Sequence, residues 1–191
     1  MVRALYPKEP YKMNTEIYLC KCKPLAYRNL ESDDDEFVDV MLKLHHNGPM
    51  LSKSWKEFNF SWSTENLENP DFPFIDGFIP VFSQKAYKVL QPLIKNNVEF
   101  LSINVAGERF YIVNVLTVYS KIVNLKDSYE YHYALYPTDK WDPIFKINEK
   151  ITPLFVTADV KNAIEENHLT GCKFIKCRIT ERGFLSKLFG K

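Results

Sequence analysis

Two stretches of this chain place the same residue types in the same order. Residues 80–103 read PVFSQKAYKVLQPLIKNNVEFLSI, and residues 153–177 read PLFVTADVKNAIEENHLTGCKFIKC. Each has a proline, a short apolar step, a hydroxyl side chain, an amphipathic run of about three turns, an Asn-containing exit and a β-like segment. Ser83 suits a helix N-cap, because its hydroxyl can accept a bond from an otherwise unpaired backbone N–H. Ala86, Val89, Leu90, Leu93 and Ile94 then follow helical spacing, which predicts a helix over Gln84–Ile94. Pro92 should kink that helix or end it early, and Asn96-Asn97 should form a left-handed exit. In the second stretch Thr157 is the expected cap, Asp159 favours the positive end of a helix over Ala158–Asn167, and Val160, Ala163 and Ile164 form its buried stripe. Gly171 is expected at positive φ just before a strand from Cys172 to Ile179. The two stretches read either as a degenerate repeat or as two independent uses of common capping chemistry.

The rest is mostly β-like. Residues 16–22, EIYLCKC, alternate Ile17 and Leu19 with Tyr18, Cys20 and Cys22. The run Glu31–Glu36 carries five acidic charges in six positions and reads as a solvated loop. Residues 37–46, FVDVMLKLHH, read as a strand broken by Asn47-Gly48-Pro49. Phe58, Phe60 and Trp62 share one face at period two, and the proline-rich residues 68–80 are a connector. Val98–Val105 and Phe110–Val118 predict strands joined by a hairpin at Ala106-Gly107-Glu108, and Ile144–Ile147 a further strand. Phe184, Leu185, Leu188 and Phe189 lie on one helical face of the tail, which would dock on the body or on a partner. The class implied is α+β, a mainly antiparallel sheet with two or three short helices.

A chain of 191 residues fits one domain over 1–191, with 1–70 a variable β-rich N-terminal part. At this size roughly 70% of the unfolded surface can be buried, so the core needs no staples. A formal charge of +1 argues against a nucleic-acid partner, and no apolar run is long enough to span a membrane. No apolar signal segment follows the N-terminal MVRALYPKEP, so the expected setting is the cytoplasm, with Cys20, Cys22, Cys172 and Cys177 as reduced thiols. No two of the six glycines are separated by one residue, which excludes dinucleotide and phosphate-loop fingerprints. No cofactor is implied.

Catalytic groupings are weak. His45, His46, His132 and His168 form no metal-binding spacing, and on a strand His45 and His46 would face opposite sides. The four cysteines could form a tetrathiolate site or sit unpaired in the core. Asp33, Asp34, Asp35 and Glu36 are the candidate partner-binding residues, either a docking patch for a basic protein or a solvated loop.

Four pieces appear in a fixed order: Phe82-Ser83, Tyr111-Ile112-Val113-Asn114-Val115, Pro143-Ile144-Phe145-Lys146-Ile147 and Leu169-Thr170-Gly171. Over residues 71–177 this order resembles a bacterial immunity-protein family, the eleventh numbered immunity family of polymorphic toxin systems, first catalogued as a domain of unknown function. The resemblance implies a non-enzymatic cytosolic protein that binds a cognate toxin domain and neutralises it by stoichiometric occlusion. It supplies no catalytic, cofactor or metal residues. A hydrolase reversing a toxin's modification and a stand-alone binding scaffold are the rival readings.

Overall fold

The computed structural model describes residues 16–23, 26–45, 50–63, 67–120, 122–123, 128, 132–148 and 154–180. The β-segments of the first half close into a small barrel. Its strands are β2 (Leu30–Ser32), β3 (Asn59–Trp62), β4 (Phe74–Ile75), β5 (Ile79–Phe82), β6 (Val98–Val105) and β7 (Glu108–Val115), in the order β2-β3-β6-β7-β5-β4. Closure comes from one parallel contact, Leu30 opposite Ile75. A second sheet has the order β12-β1-β11-β10-β8, from β1 (Ile17–Cys22), β8 (Val118–Tyr119), β10 (Ile144–Ile147), β11 (Leu154–Thr157) and β12 (Cys172–Lys176). Two short strands, β9 (Ala134–Leu135) and β13 (Arg178–Ile179), pair parallel. Among the described residues most strand pairs are antiparallel and three helices are α-helical, so the class is α+β.

The two look-alike stretches share a topology. The strand β5, helix α2 (Gln84–Ile94) and strand β6 form one unit, in which β5 and β6 flank β7 and run antiparallel to it. The strand β11, helix α3 (Ala158–Glu166) and strand β12 form the other, flanking β1 in the same way. Each is a split β-α-β unit with a foreign antiparallel strand in its middle. Helix α2 lies on β5 and β7, helix α3 on β1 and β11, and the two helices touch. Their buried residues, Ala86, Leu90 and Ile94 on one side and Val160 and Ile164 on the other, join one apolar cluster with strands of both sheets.

A second cluster fills the barrel, where Leu101, Ile103, Val105, Phe110 and Ile112 meet Leu30, Phe60 and Val81. The far face of the five-stranded sheet carries a third, centred on stacked Phe145 and Phe155 with ring centroids 5.4 Å apart. Strand β1 is therefore covered on both faces: Ile17 and Leu19 enter the third cluster and Cys20 the first. A two-residue turn at Ala106 (φ 49°) and Gly107 (φ 90°) joins β6 to β7. Positive φ at both positions suits the right-handed twist of a tight hairpin, and glycine tolerates it without a Cβ clash.

Several expectations are corrected. Residues 37–45 form a helix, α1 (Phe37–His45), where a strand was expected, so the N-terminal part is not purely β. Pro92 lies inside α2, which continues to Ile94, and the residue after it, Lys95, remains in the right-handed region. Neither Asn96 nor Asn97 is left-handed; the Asn97 amide instead donates to Thr117 (3.0 Å) and Asp142 (2.9 Å). At the exit of α3 the left-handed residue is His168, φ 49°. Thr157 occupies the cap position, but its hydroxyl makes no capping bond and is buried without a partner. The last strand breaks at Cys177 into β12 and β13, and β7 ends at Val115. The tail from Glu181 lies outside the described residues.

Candidate functional site

The acidic run is built into the fold on one side and open on the other. Asp33 accepts a bond from the Ser61 hydroxyl (2.9 Å), and its N–H donates to the Asn59 carbonyl (3.0 Å). Asp34 Oδ2 accepts from the Asn59 N–H (2.8 Å), and the Asp34 N–H donates to Ser32 Oγ (3.1 Å). Both carboxylates thus fasten β2 and the entry to α1 onto β3. Glu36 pairs with Lys56. The run is thus solvated, as expected of an acidic loop, while Asp33, Asp34 and Glu36 also bond to β3 or to Lys56. Asp35 is exposed, and its carboxylate has no partner among the described residues.

Helix α1 follows at once, its first turn closed by Phe37 N–H to Asp34 O (3.0 Å) and Val38 N–H to Asp35 O (3.3 Å). Phe37 packs edge-on against Phe58 and Phe60, at centroid distances of 5.3 and 4.9 Å, and Leu44 is buried in the barrel cluster. With Phe37, Met41 and Leu44 turned inward, helical geometry turns Val38 and Leu42 outward. They are 55% and 54% exposed. Being four residues apart on one helix, they are neighbours about 5–6 Å apart and form a continuous apolar strip. Asp35 precedes the strip and exposed Asp39 lies beside it. Residues 33–43 carry five acidic side chains and one lysine. The face is apolar at its centre and acidic at its margin.

Of the residues on this face, only Asp35 is among the sequence candidates; Val38, Asp39 and Leu42 are assigned to a strand by the sequence and to α1 by the structure. The available signal was Phe37, Met41 and Leu44 at positions i, i+4 and i+7. Trp55 and Trp62 are partly exposed but held in place. Trp55 Nε1 donates to the Ser102 carbonyl (2.8 Å), and Trp62 packs edge-on against Phe110 with the Arg28 guanidinium over its ring.

Behind α1, a polar anchor closes the barrel end. Glu99 and Asn114 are opposite each other on β6 and β7. The Glu99 carboxylate accepts bonds from the N–H groups of Leu51 (2.7 Å) and Ser52 (3.0 Å) and from the Asn114 amide (2.9 Å). Burial pushes its pKa up, but the bonds from Ser52, Leu51 and Asn114 together outweigh that and leave it below the ordinary value. The buried Lys146 ammonium donates to the Leu44 carbonyl near the end of α1 (2.8 Å), and burial lowers its pKa to about 8.

An open depression of about 610 Å³ is lined by Asp71, Ser83, Lys85, Glu108 and Arg109, among others. Its central carboxylate is already committed. Asp71 accepts from Ser83 Oγ (3.1 Å), from the Thr170 N–H (3.2 Å) and from Lys85 (3.3 Å). Ser83 Oγ in turn accepts from the Ala86 N–H (3.2 Å), so it caps α2 as expected. These residues tie the connector to both helices. Among the described residues, no group of three or more His, Cys, Asp or Glu is placed to hold a metal ion. Cys177 lies in the cluster opposite the one holding Cys20 and Cys172, so the four thiols do not converge. Among the described residues, no helix is long and apolar enough to cross a membrane. No family model matches the chain, and no curated protein matches it.

Proposed function

We propose that the protein is an immunity protein, which binds a cognate bacterial toxin in the cytosol and neutralises it by one-to-one occlusion. The observation that carries this reading is the outer face of α1: Val38 and Leu42 are half exposed, with Asp35 before them and Asp39 beside them. Covering the exposed half of each of these aliphatic side chains would yield about 1 kcal/mol, a gain that a partner would realise on binding. The exposed carboxylates of Asp35 and Asp39 beside the strip favour a basic partner, by steering its approach and disfavouring acidic competitors. The order of motifs over residues 71–177 supplies the class of partner, a toxin of the polymorphic type.

The test is co-expression of the full chain with the product of the gene adjacent to its own, in a host that this product kills. The proposal predicts growth restored when the two proteins are present in equal amounts. Death of the host despite an equimolar, folded supply of this chain contradicts it. So does rescue by a small fraction of that amount, which is the behaviour of a modification-reversing enzyme.

A further inference from the structure

Three of the four thiols meet at one edge of the five-stranded sheet. Cys20 and Cys22 project from the same face of β1, and Cys172 lies opposite Cys22 in the antiparallel register with β12. The Lys23 N–H donates to the Gly171 carbonyl (3.1 Å). A bond between the residue after one partner and the residue before the other brackets a non-hydrogen-bonded pair, the closer kind, with Cα atoms about 4.5 Å apart. Disulfides need a Cα separation of about 4.4–6.8 Å. Cys20 is opposite Phe174, so it is only diagonal to Cys172, a relation that usually spans about 7–8 Å.

We propose that Cys22 and Cys172 form a reversible cross-strand disulfide, making this sheet edge a thiol–disulfide exchange site for small disulfides such as glutathione disulfide. Cys22 is half-buried and reachable, whereas Cys20 and Cys172 are 3% and 6% exposed. Burial raises the Cys22 pKa, and the cations of Lys21 and Lys173 pull against it. Cys20 and Cys172 are both buried, which leaves Cys22 the entry point. After giving its proton to solvent, the Cys22 sulfur attacks one sulfur of glutathione disulfide. The glutathione S–S bond breaks and one glutathione leaves as a thiolate that takes up a proton. The deprotonated Cys172 sulfur then attacks the Cys22 sulfur of the mixed disulfide and releases the second glutathione. Two electrons and two protons pass from the cysteines to the glutathione pair. The new bond ties β12, the outer strand of the sheet, to β1.

The experiment is equilibration of the full chain in mixtures of reduced and oxidised glutathione, acid quenching, alkylation and mapping by mass spectrometry of proteolytic fragments. A Cys22–Cys172 link that dithiothreitol reverses is expected, with the melting temperature several degrees higher in the oxidised form. Cys20→Ser should retain the link. Cys22→Ser, checked for native circular dichroism, should show no intramolecular disulfide in the same mixtures. A Cys20–Cys172 link in the unaltered chain, or a glutathione adduct on Cys22 that never resolves, would overturn the proposal. So would four free thiols in fully oxidised glutathione.

Discussion

The backbone at Gly171 approaches the carbonyl of Phe72 so closely that a Cβ at residue 171 would lie 2.4 Å from that oxygen. The neighbouring Phe72 N–H donates to the Thr170 carbonyl (2.8 Å). The turn between α3 and β12 is thus sewn onto the connector that enters the barrel. Gly171 also has φ +111°, where L side chains are strained. Gly171→Ala should therefore destabilise the fold by about 2 kcal/mol or more, measured by chemical denaturation. Its affinity for a partner, measured on the folded fraction, should be unchanged. A variant with native stability would contradict the close approach.

The two hydroxyl caps predict opposite mutational signs. Ser83 accepts the Ala86 N–H and donates to Asp71, so Ser83→Ala should cost about 1–2 kcal/mol. Thr157 is buried with an unpartnered hydroxyl. Thr157→Val keeps the shape and removes the orphan, so stability should hold or rise by about 1 kcal/mol. Paired urea titrations decide both.

Sequence alone located α2 and α3 because cap, stripe and exit agreed locally at Ser83, Ala86, Leu90 and Ile94, and at Asp159, Val160 and Ile164. It misread α1 because residues 37–44 satisfy two periods at once. Val38, Val40, Leu42 and Leu44 alternate as in a strand, while Phe37, Met41 and Leu44 recur as in a helix. The tertiary contact of Phe37 with Phe58 and Phe60 goes with the helical solution, and no local window contains that contact. Closure of the barrel was hidden for the same reason: Leu30 and Ile75 are far apart in sequence. The acidic run was recognised as a site candidate, but composition could not separate carboxylates that fasten β3 from Asp35, which is open.

Lys146 sets a pH signature. Burial lowers its pKa from 10.5 to about 8. Between these values the unfolded chain holds a proton that the folded chain has released, so stability rises with pH across that window. Below about 8 the folded state carries the full penalty of a buried charge, up to about 3 kcal/mol. Against Lys146→Met, the unaltered protein should gain stability from pH 8 to 10.5, with a constant difference below 7. Parallel curves throughout would show that Lys146 titrates normally.

The acidic side chains should separate into two groups. Asp33→Asn with Asp34→Asn weakens the latch onto Asn59 and Ser61, and should cost about 1–3 kcal/mol of stability. Asp35→Asn with Asp39→Asn should leave stability within about 0.5 kcal/mol. This second pair should slow association with the toxin at low salt, and the effect should fade at physiological ionic strength, where exposed charges are screened beyond about 8 Å. Stopped-flow rates at two salt concentrations test the division.

The most direct measurement is calorimetric titration of the adjacent gene's product, catalytically inactivated, into the full chain and into Leu42→Asp. The account predicts a one-to-one complex with the unaltered protein. It predicts affinity at least tenfold weaker for Leu42→Asp, a substitution at an exposed helical site that should leave the fold intact. Absence of binding, or equal affinity for both proteins, would contradict an immunity function exercised through the outer face of α1.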